Sequence, residues 1–190
     1  MHKTISEFST RHKYHILSFI LLMIIIVSCN SKSGYPGQKD KQNRPSPPAK
    51  VAQRIHNAEV TIDYSSPRVK GRELWGKLVP YDEVWRTGAN EANILQINAP
   101  VKISGTLLSA GKYSLFTIPS SSSWTVILNK DWDQWGAYNY NQEQDVLRFS
   151  VEPSLTSNFY EELTFQISNQ GLVSFYWGNL TFQFRLEPTE

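Results

Sequence analysis

The clearest pattern in the chain lies near its end. Leu180, Phe182, Phe184 and Leu186 occupy every second position, with Thr181, Gln183 and Arg185 between them. In an extended backbone successive side chains point to opposite faces, so this period makes one apolar face and one polar face. Val60, Ile62 and Tyr64 alternate with Thr61 and Asp63 in the same way. Ala92–Asn98 and Val101–Leu108 read as a strand pair joined by Ala99-Pro100, and Lys112–Ile118 follows a turn at Ser109-Ala110-Gly111. The polar loop Ser120–Ser123 leads into the short apolar run Trp124–Leu128. Val146–Val151, Leu163–Ile167, Leu172–Trp177 and Leu180–Leu186 complete the set, and helical periodicity goes no further than a turn near Arg72–Leu78. Short strands punctuated by turn residues predict an all-β fold over residues 51–190, an antiparallel β-sandwich of jelly-roll-like type. About 140 residues suffice for one two-sheet core.

The amino terminus has a different character. Lys3, Arg11 and Lys13 stand against the single acid Glu7, and Ile16–Val27 is then apolar except for Ser18. A membrane-spanning helix needs about 20 such residues. This run is shorter and fits the core of a signal peptide over residues 1–28. It stops at Ile26-Val27-Ser28-Cys29, which resembles the bacterial lipobox, with Ile26 where leucine is usual. The resemblance implies that Cys29 is lipidated, with palmitate-type chains, and becomes the new amino terminus. One acyl chain holds a protein only marginally, and several give stable anchoring. Cys29 is also the only cysteine, so no intrachain disulfide can form. Asn30-Ser31 carries no acidic retention signal, which predicts an outer-membrane lipoprotein facing the periplasm.

Residues 29–50 are rich in Ser, Gly, Pro, Lys and Gln and cannot bury a core, so they read as a flexible linker, extended by Pro36, Pro45, Pro47 and Pro48. Charge divides at its end. Lys32, Lys39, Lys41, Arg44 and Lys50 oppose only Asp40 before Val51, whereas Val51–Glu190 holds 11 bases and 15 acids. An acidic domain argues against nucleic acid as a partner.

Five segments resemble, in order, the bacterial domain of unknown function 2911: GRELWGKLVPYDEVWRTGANEA (Gly71–Ala92), AGKYSLFTIP (Ala110–Pro119), WTVILNK (Trp124–Lys130), WGAYNY (Trp135–Tyr140) and DVLRFSV (Asp145–Val151). The likeness runs over nearly all of Val51–Leu186. Asn93-Ile94-Leu95 departs from it, where threonines are usual. The resemblance implies an exported protein of a family common in Bacteroidota and a β-sandwich fold, and it implies no established activity.

Absences narrow the chemistry. The histidines are His2, His12, His15 and His56, and the first three leave with the signal peptide. A multi-histidine zinc site is excluded, and no cofactor or metal is expected. With Cys29 as anchor there is no Cys-His pair, and a Ser-His-Asp triad would need His56 as its base. His56 reads as a surface residue.

Two polar clusters remain. In the first, Trp85, Arg86, Thr87, Gly88, Asn90 and Glu91 form a loop before a strand. One reading is the floor of a ligand cleft walled by Trp85 and Trp75, with Arg86 as a planar fork for a carboxylate. The other is a structural knot: Arg86 pairs with Glu91 or Asp82, Asn90 caps backbone groups, and Gly88 supplies an unusual backbone angle. In the second cluster, Asp131–Tyr140, Trp132, Trp135 and Tyr138 can stack on sugar rings or pack as a satellite core. Asp131 and Asp133 lack the calcium-loop pattern. These features point to a noncatalytic ligand-binding or accessory module, with a glycan or an envelope protein as partner. The alternatives are a glycoside-class hydrolase using Glu91 with Asp82 or Asp133, and a structural partner in an envelope complex.

Overall fold

The computed structural model describes residues 41–189; the expected signal peptide, Cys29 and the first part of the expected linker lie outside the described residues. Among the described residues there is no α-helix, and a single 3-10 turn spans Gln142–Gln144. The strands are β1 (Pro48–Ile55), β2 (Ala58–Ser65), β3 (Asn93–Ile97), β4 (Val101–Ile103), β5 (Thr106–Leu108), β6 (Gly111–Ile118), β7 (Trp124–Asn129), β8 (Asp145–Val151), β9 (Ser154–Ile167), β10 (Leu172–Arg185) and β11 (Glu187–Pro188).

One antiparallel sheet runs β1-β2-β3-β6-β7-β8. The β9–β10 hairpin and a small β11-β4-β5 sheet supply the other side of the core. Val60, Ile62, Leu95, Leu115 and Val126 meet Leu163, Phe165, Phe175 and Phe182 from the hairpin and Ile103 from the small sheet. This is the all-β sandwich that the period-two pattern predicts. Four tryptophans fill one region of the core. Trp75 lies 4.9 Å from Trp124, and Trp85 stacks on Trp177 at 5.9 Å and 15°.

Several boundaries differ from the expectation. β1 begins at Pro48, inside the stretch read as linker, and pairs with β2 from Pro48↔Ser65 to Ile55↔Ala58. It is an edge strand, where a proline at the first position costs no ladder bond. His56 sits exposed in the turn of this hairpin. Val101–Leu108 is not one strand paired with Ala92–Asn98. It folds back on itself at Ser104-Gly105 into β4 and β5, while β3 pairs with β2 and β6. The two expected strands at Leu172–Trp177 and Leu180–Leu186 are one long strand, with register shifts on both sides of Gly178. At φ 62° Gly178 takes a conformation that costs a residue without Cβ least, so the strand bends there instead of ending.

The central strands β6 and β7 are apolar on both faces. Their outer face carries Phe116 and Ile127, which with Ala92 form a second, smaller cluster beneath Val84, Ile118, Ala137 and Tyr140. The segment after β7 therefore has to fold over the sheet to shield this cluster.

Candidate functional site

The Arg86 loop is positioned by a short bridge to β6. Trp85 N donates to Thr117 O at 2.8 Å, and Thr117 N donates to Trp85 O at 2.9 Å. Extended backbone alternates its side chains across this bridge. Trp85 turns into the main core, where its indole N–H donates to Gly88 O at 3.2 Å. Thr87 is also internal, fully buried with its hydroxyl 3.1 Å from that of Thr117. Arg86, between them, faces outward.

The loop is tied down residue by residue. Asn93 Nδ2 donates to Thr87 O at 2.8 Å. Asn90 Nδ2 donates to Ser46 O at 2.9 Å and to Ser65 Oγ at 3.1 Å. The unusual backbone angles fall on Thr87 (φ 56°) and Asn90 (φ 61°), not on Gly88. Gly88 is needed for space: a Cβ there would come within 2.9 Å of Asn93 Oδ1 and 3.1 Å of Ser65 O.

Glu91 does not pair with Arg86. Arg44 Nη1 donates to Glu91 Oε2 at 2.8 Å, and Lys41 Nζ lies 3.1 Å from Oε1. The Arg44 guanidinium also sits 5.5 Å above the Trp135 ring. Burial alone would raise the Glu91 carboxyl. The bonds from its own backbone N–H, Lys41 and Arg44 outweigh burial and hold it below its ordinary value. Asp82, the other expected partner, is exposed, with its N–H bonded to Pro119 O at 2.8 Å. The cations that tie Glu91 down are Arg44 and Lys41, where the sequence suggested Arg86. Both lie in a stretch whose composition reads as linker, so no sequence signal pointed to them.

The aromatic loop meets this frame by backbone contacts. Ala92 N donates to Gln134 O and Gly136 N to Asn90 O, both at 3.0 Å, and Glu91 bridges Trp135. At its far end Tyr140 donates to Asp145 Oδ2 at 2.6 Å, and Arg148 binds the same oxygen at 3.1 Å. Burial, reinforced by Asp145, pushes the Tyr140 phenol up to about 12. Between these anchors Tyr138 is 80 % exposed. Trp132, also exposed, lies under the Lys112 ammonium at 4.5 Å. Tyr140 and Ala137 are the part of this loop that packs as a satellite core.

Arg86 lies beneath this loop. Its Nε is buried without a hydrogen-bond partner. A Cβ on Gly136 would fall 3.3 Å from Arg86 Nη1 and 2.9 Å from the Tyr138 ring edge, so the three groups abut. Burial lowers the Arg86 pKa, and Tyr138 acts against that shift. The structure thus brings Arg86, Asn90, Glu91, Trp135 and Tyr138 together, puts Trp85 and Thr87 inside, and stands Trp132 over β6. Among the described residues no group of three His, Cys, Asp or Glu could hold a metal ion.

No curated protein and no solved structure matches the chain. The model of one family matches residues 46–186, a span that takes in β1 and both loops of the site. The chain belongs to that family, described as "Protein of unknown function (DUF2911)".

Proposed function

We propose that this protein is a lipoprotein of the cell envelope whose β domain binds a ligand without chemical turnover, at the junction of the Arg86–Glu91 and Asp131–Tyr140 loops. The ligand class we assign is a glycan, and the tether is the acylated Cys29, holding the domain on the periplasmic face of the outer membrane. One observation carries the binding reading: Tyr138 stays 80 % exposed on a loop whose backbone is fixed on both sides. A loop that only shielded Phe116 and Ile127 has no need of an aromatic ring in water. A fixed ring is a low-entropy platform for the apolar face of a sugar, and the hydroxyls of such a ligand would meet the exposed Asp131, Asp133 and Asn139. The hydrolase alternative is disfavoured because Glu91 is held ionised by Arg44 and Lys41 and is poorly suited to protonate a leaving group.

The test is calorimetry on the full-length protein, purified with its anchor, against peptidoglycan fragments and envelope polysaccharides. Binding that weakens in Tyr138→Ala supports the reading, and heats of dilution with every polysaccharide would end it. Release of the domain by protease from intact cells would contradict the periplasmic face. Retention in the membrane fraction after Cys29→Ser would contradict the anchor.

A further inference from the structure

The fate of Arg86 says more about the ligand. An arginine is charged at every accessible pH, and burying an uncompensated charge is costly. Neighbouring bases meet acids: Arg44 and Lys41 share Glu91, and Arg148 holds Asp145. Arg86 has no ion pair with an acid among the described residues, and its buried Nε has no acceptor. Glu91, one of the two partners expected for it, is already bound by two cations, and the other, Asp82, is exposed. Lys41 and Arg44 thus use Glu91 between them, and the Arg86 guanidinium is left available to an outside anion.

The fork is also held in place. Gly136, at φ 67°, has no Cβ, and one added there would press on both Arg86 Nη1 and the Tyr138 ring. The loop backbone at Gly136 thus abuts the guanidinium, with Tyr138 as the polar side chain it meets. Arg86 nonetheless keeps part of its surface open to solvent. A fixed planar fork suits bidentate contact with a carboxylate or phosphate. The exposed ring of Tyr138 stands beside it.

From this arrangement we infer that the ligand of the site is an acidic saccharide, whose carboxylate or phosphate is received by Arg86 while its ring lies on Tyr138. The inference rests on the binding reading above and adds the chemical class of the ligand. Arg86 is assigned as a binding residue.

The test uses the full-length protein in detergent at constant ionic strength, with three probes: oligogalacturonate, its methyl ester as the uncharged counterpart, and inorganic phosphate. Calorimetry gives affinity, and the Nε–H resonance of Arg86 reports contact at the fork. Saturable movement of that resonance by oligogalacturonate or by phosphate, but not by the ester, is the expected result. Which of the two anions moves it tells a carboxylate site from a phosphate site. Arg86→Gln should weaken anion binding roughly 10- to 100-fold, the loss expected for a charge-assisted hydrogen bond. Arg86→Lys should fall between, because an ammonium keeps the charge and loses the fork. Without ligand, Arg86→Gln should melt no lower than the unmodified protein, whereas a structural arginine would lower the midpoint. Equal binding of the ester and the acid, unchanged in Arg86→Gln, would overturn the acidic assignment and leave the binding reading intact. A resonance that none of the probes moves, together with no heat, would overturn both.

Discussion

Two arginines of this site should respond in opposite directions when their charge is removed. Arg44→Met deletes the 2.8 Å bond to Glu91, in a pair whose side chains are 10 % and 27 % exposed. Ion pairs in water contribute about 0–1 kcal/mol, and truncating one partner of a fully buried pair costs about 3–5 kcal/mol. This pair lies between the two limits, and Lys41 at 3.1 Å remains to hold the carboxylate. A loss of about 1–2 kcal/mol is therefore expected. For a domain of this size that lowers Tm by about 2–8 °C. Arg86→Met keeps a long apolar stem and removes a charge that meets no acid among the described residues. Nothing is orphaned and a desolvation cost is relieved, so stability should hold or rise by up to about 1 kcal/mol. Urea and thermal melts of the two variants decide the matter. Tryptophan fluorescence is a suitable probe, because Trp75, Trp85, Trp124 and Trp177 form one core cluster that loosens on unfolding. A loss of 1 kcal/mol or more in Arg86→Met, beside a neutral Arg44→Met, would show that Arg86 is the structural cation, and the reasoning would fail.

Three further outcomes are expected. The Glu91 carboxyl titrates below its ordinary 4.5, so its stabilisation is complete above that value and is lost as pH falls through the lower folded-state pKa; the difference in Tm between the unmodified protein and Glu91→Gln should shrink across that acidic window, and a gap that widens there would be the wrong sign. Trp85→Ala should cost about 3–5 kcal/mol, because its ring packs on Trp177 in the core; a mild melt combined with lost ligand affinity would return Trp85 to the site. Gly105→Ala and Gly171→Ala share φ +80°, but a Cβ at 105 meets open space whereas one at 171 overlaps the Leu186 carbonyl; the first should lose about 1 kcal/mol from backbone strain and the second about 1–3 kcal/mol more, and equal urea midpoints would remove the steric argument.

What the sequence made legible follows from what it encodes locally. Alternation at Val60, Ile62 and Tyr64 and at Leu180, Phe182, Phe184 and Leu186 is a direct record of which side chains face the core, so the fold class was readable. β1 was not, because Ala49, Lys50, Ala52, Gln53 and Arg54 lie on an edge strand that buries little, and its pattern is weak. Gly178 looked like a break because glycine reads the same in a turn and in a bulge; only pairing with β9 across it distinguishes the two. Both site loops were visible as dense polar and aromatic clusters. Their internal assignments were not. Whether Trp85 or Arg86 faces the core depends on the bridge to Thr117, a contact 32 residues away in sequence. Whether Glu91 pairs with Arg86 depends on Arg44, which arrives from 47 residues upstream.

The same loop concentrates two kinds of cost. Asp82, Thr87 and Asn90 all have positive φ, three of the six non-glycine residues that do so among the described residues, and they lie within nine positions of one another. Such a conformation costs about 1–3 kcal/mol and persists only where its surroundings determine it. For Thr87 the β-branched side chain makes it hardest, and the clamp from Asn93 and the contact with Thr117 hold it. Beside it stands a cation with a buried, partnerless nitrogen. Strain of this kind serves packing when the side chain it presents is buried, as that of Thr87 is. Packing alone accounts for the turn at Thr87 and for the partly buried ring of Trp85 against Trp177. It does not account for a guanidinium between them that meets no acid among the described residues, or for the exposed ring of Tyr138 against it. A neutral side chain at position 86 would satisfy every core contact described and remove the electrostatic penalty. What a neutral residue cannot do is meet an anion, and that is the physical reason for placing the ligand at Arg86 and not in the aromatic core.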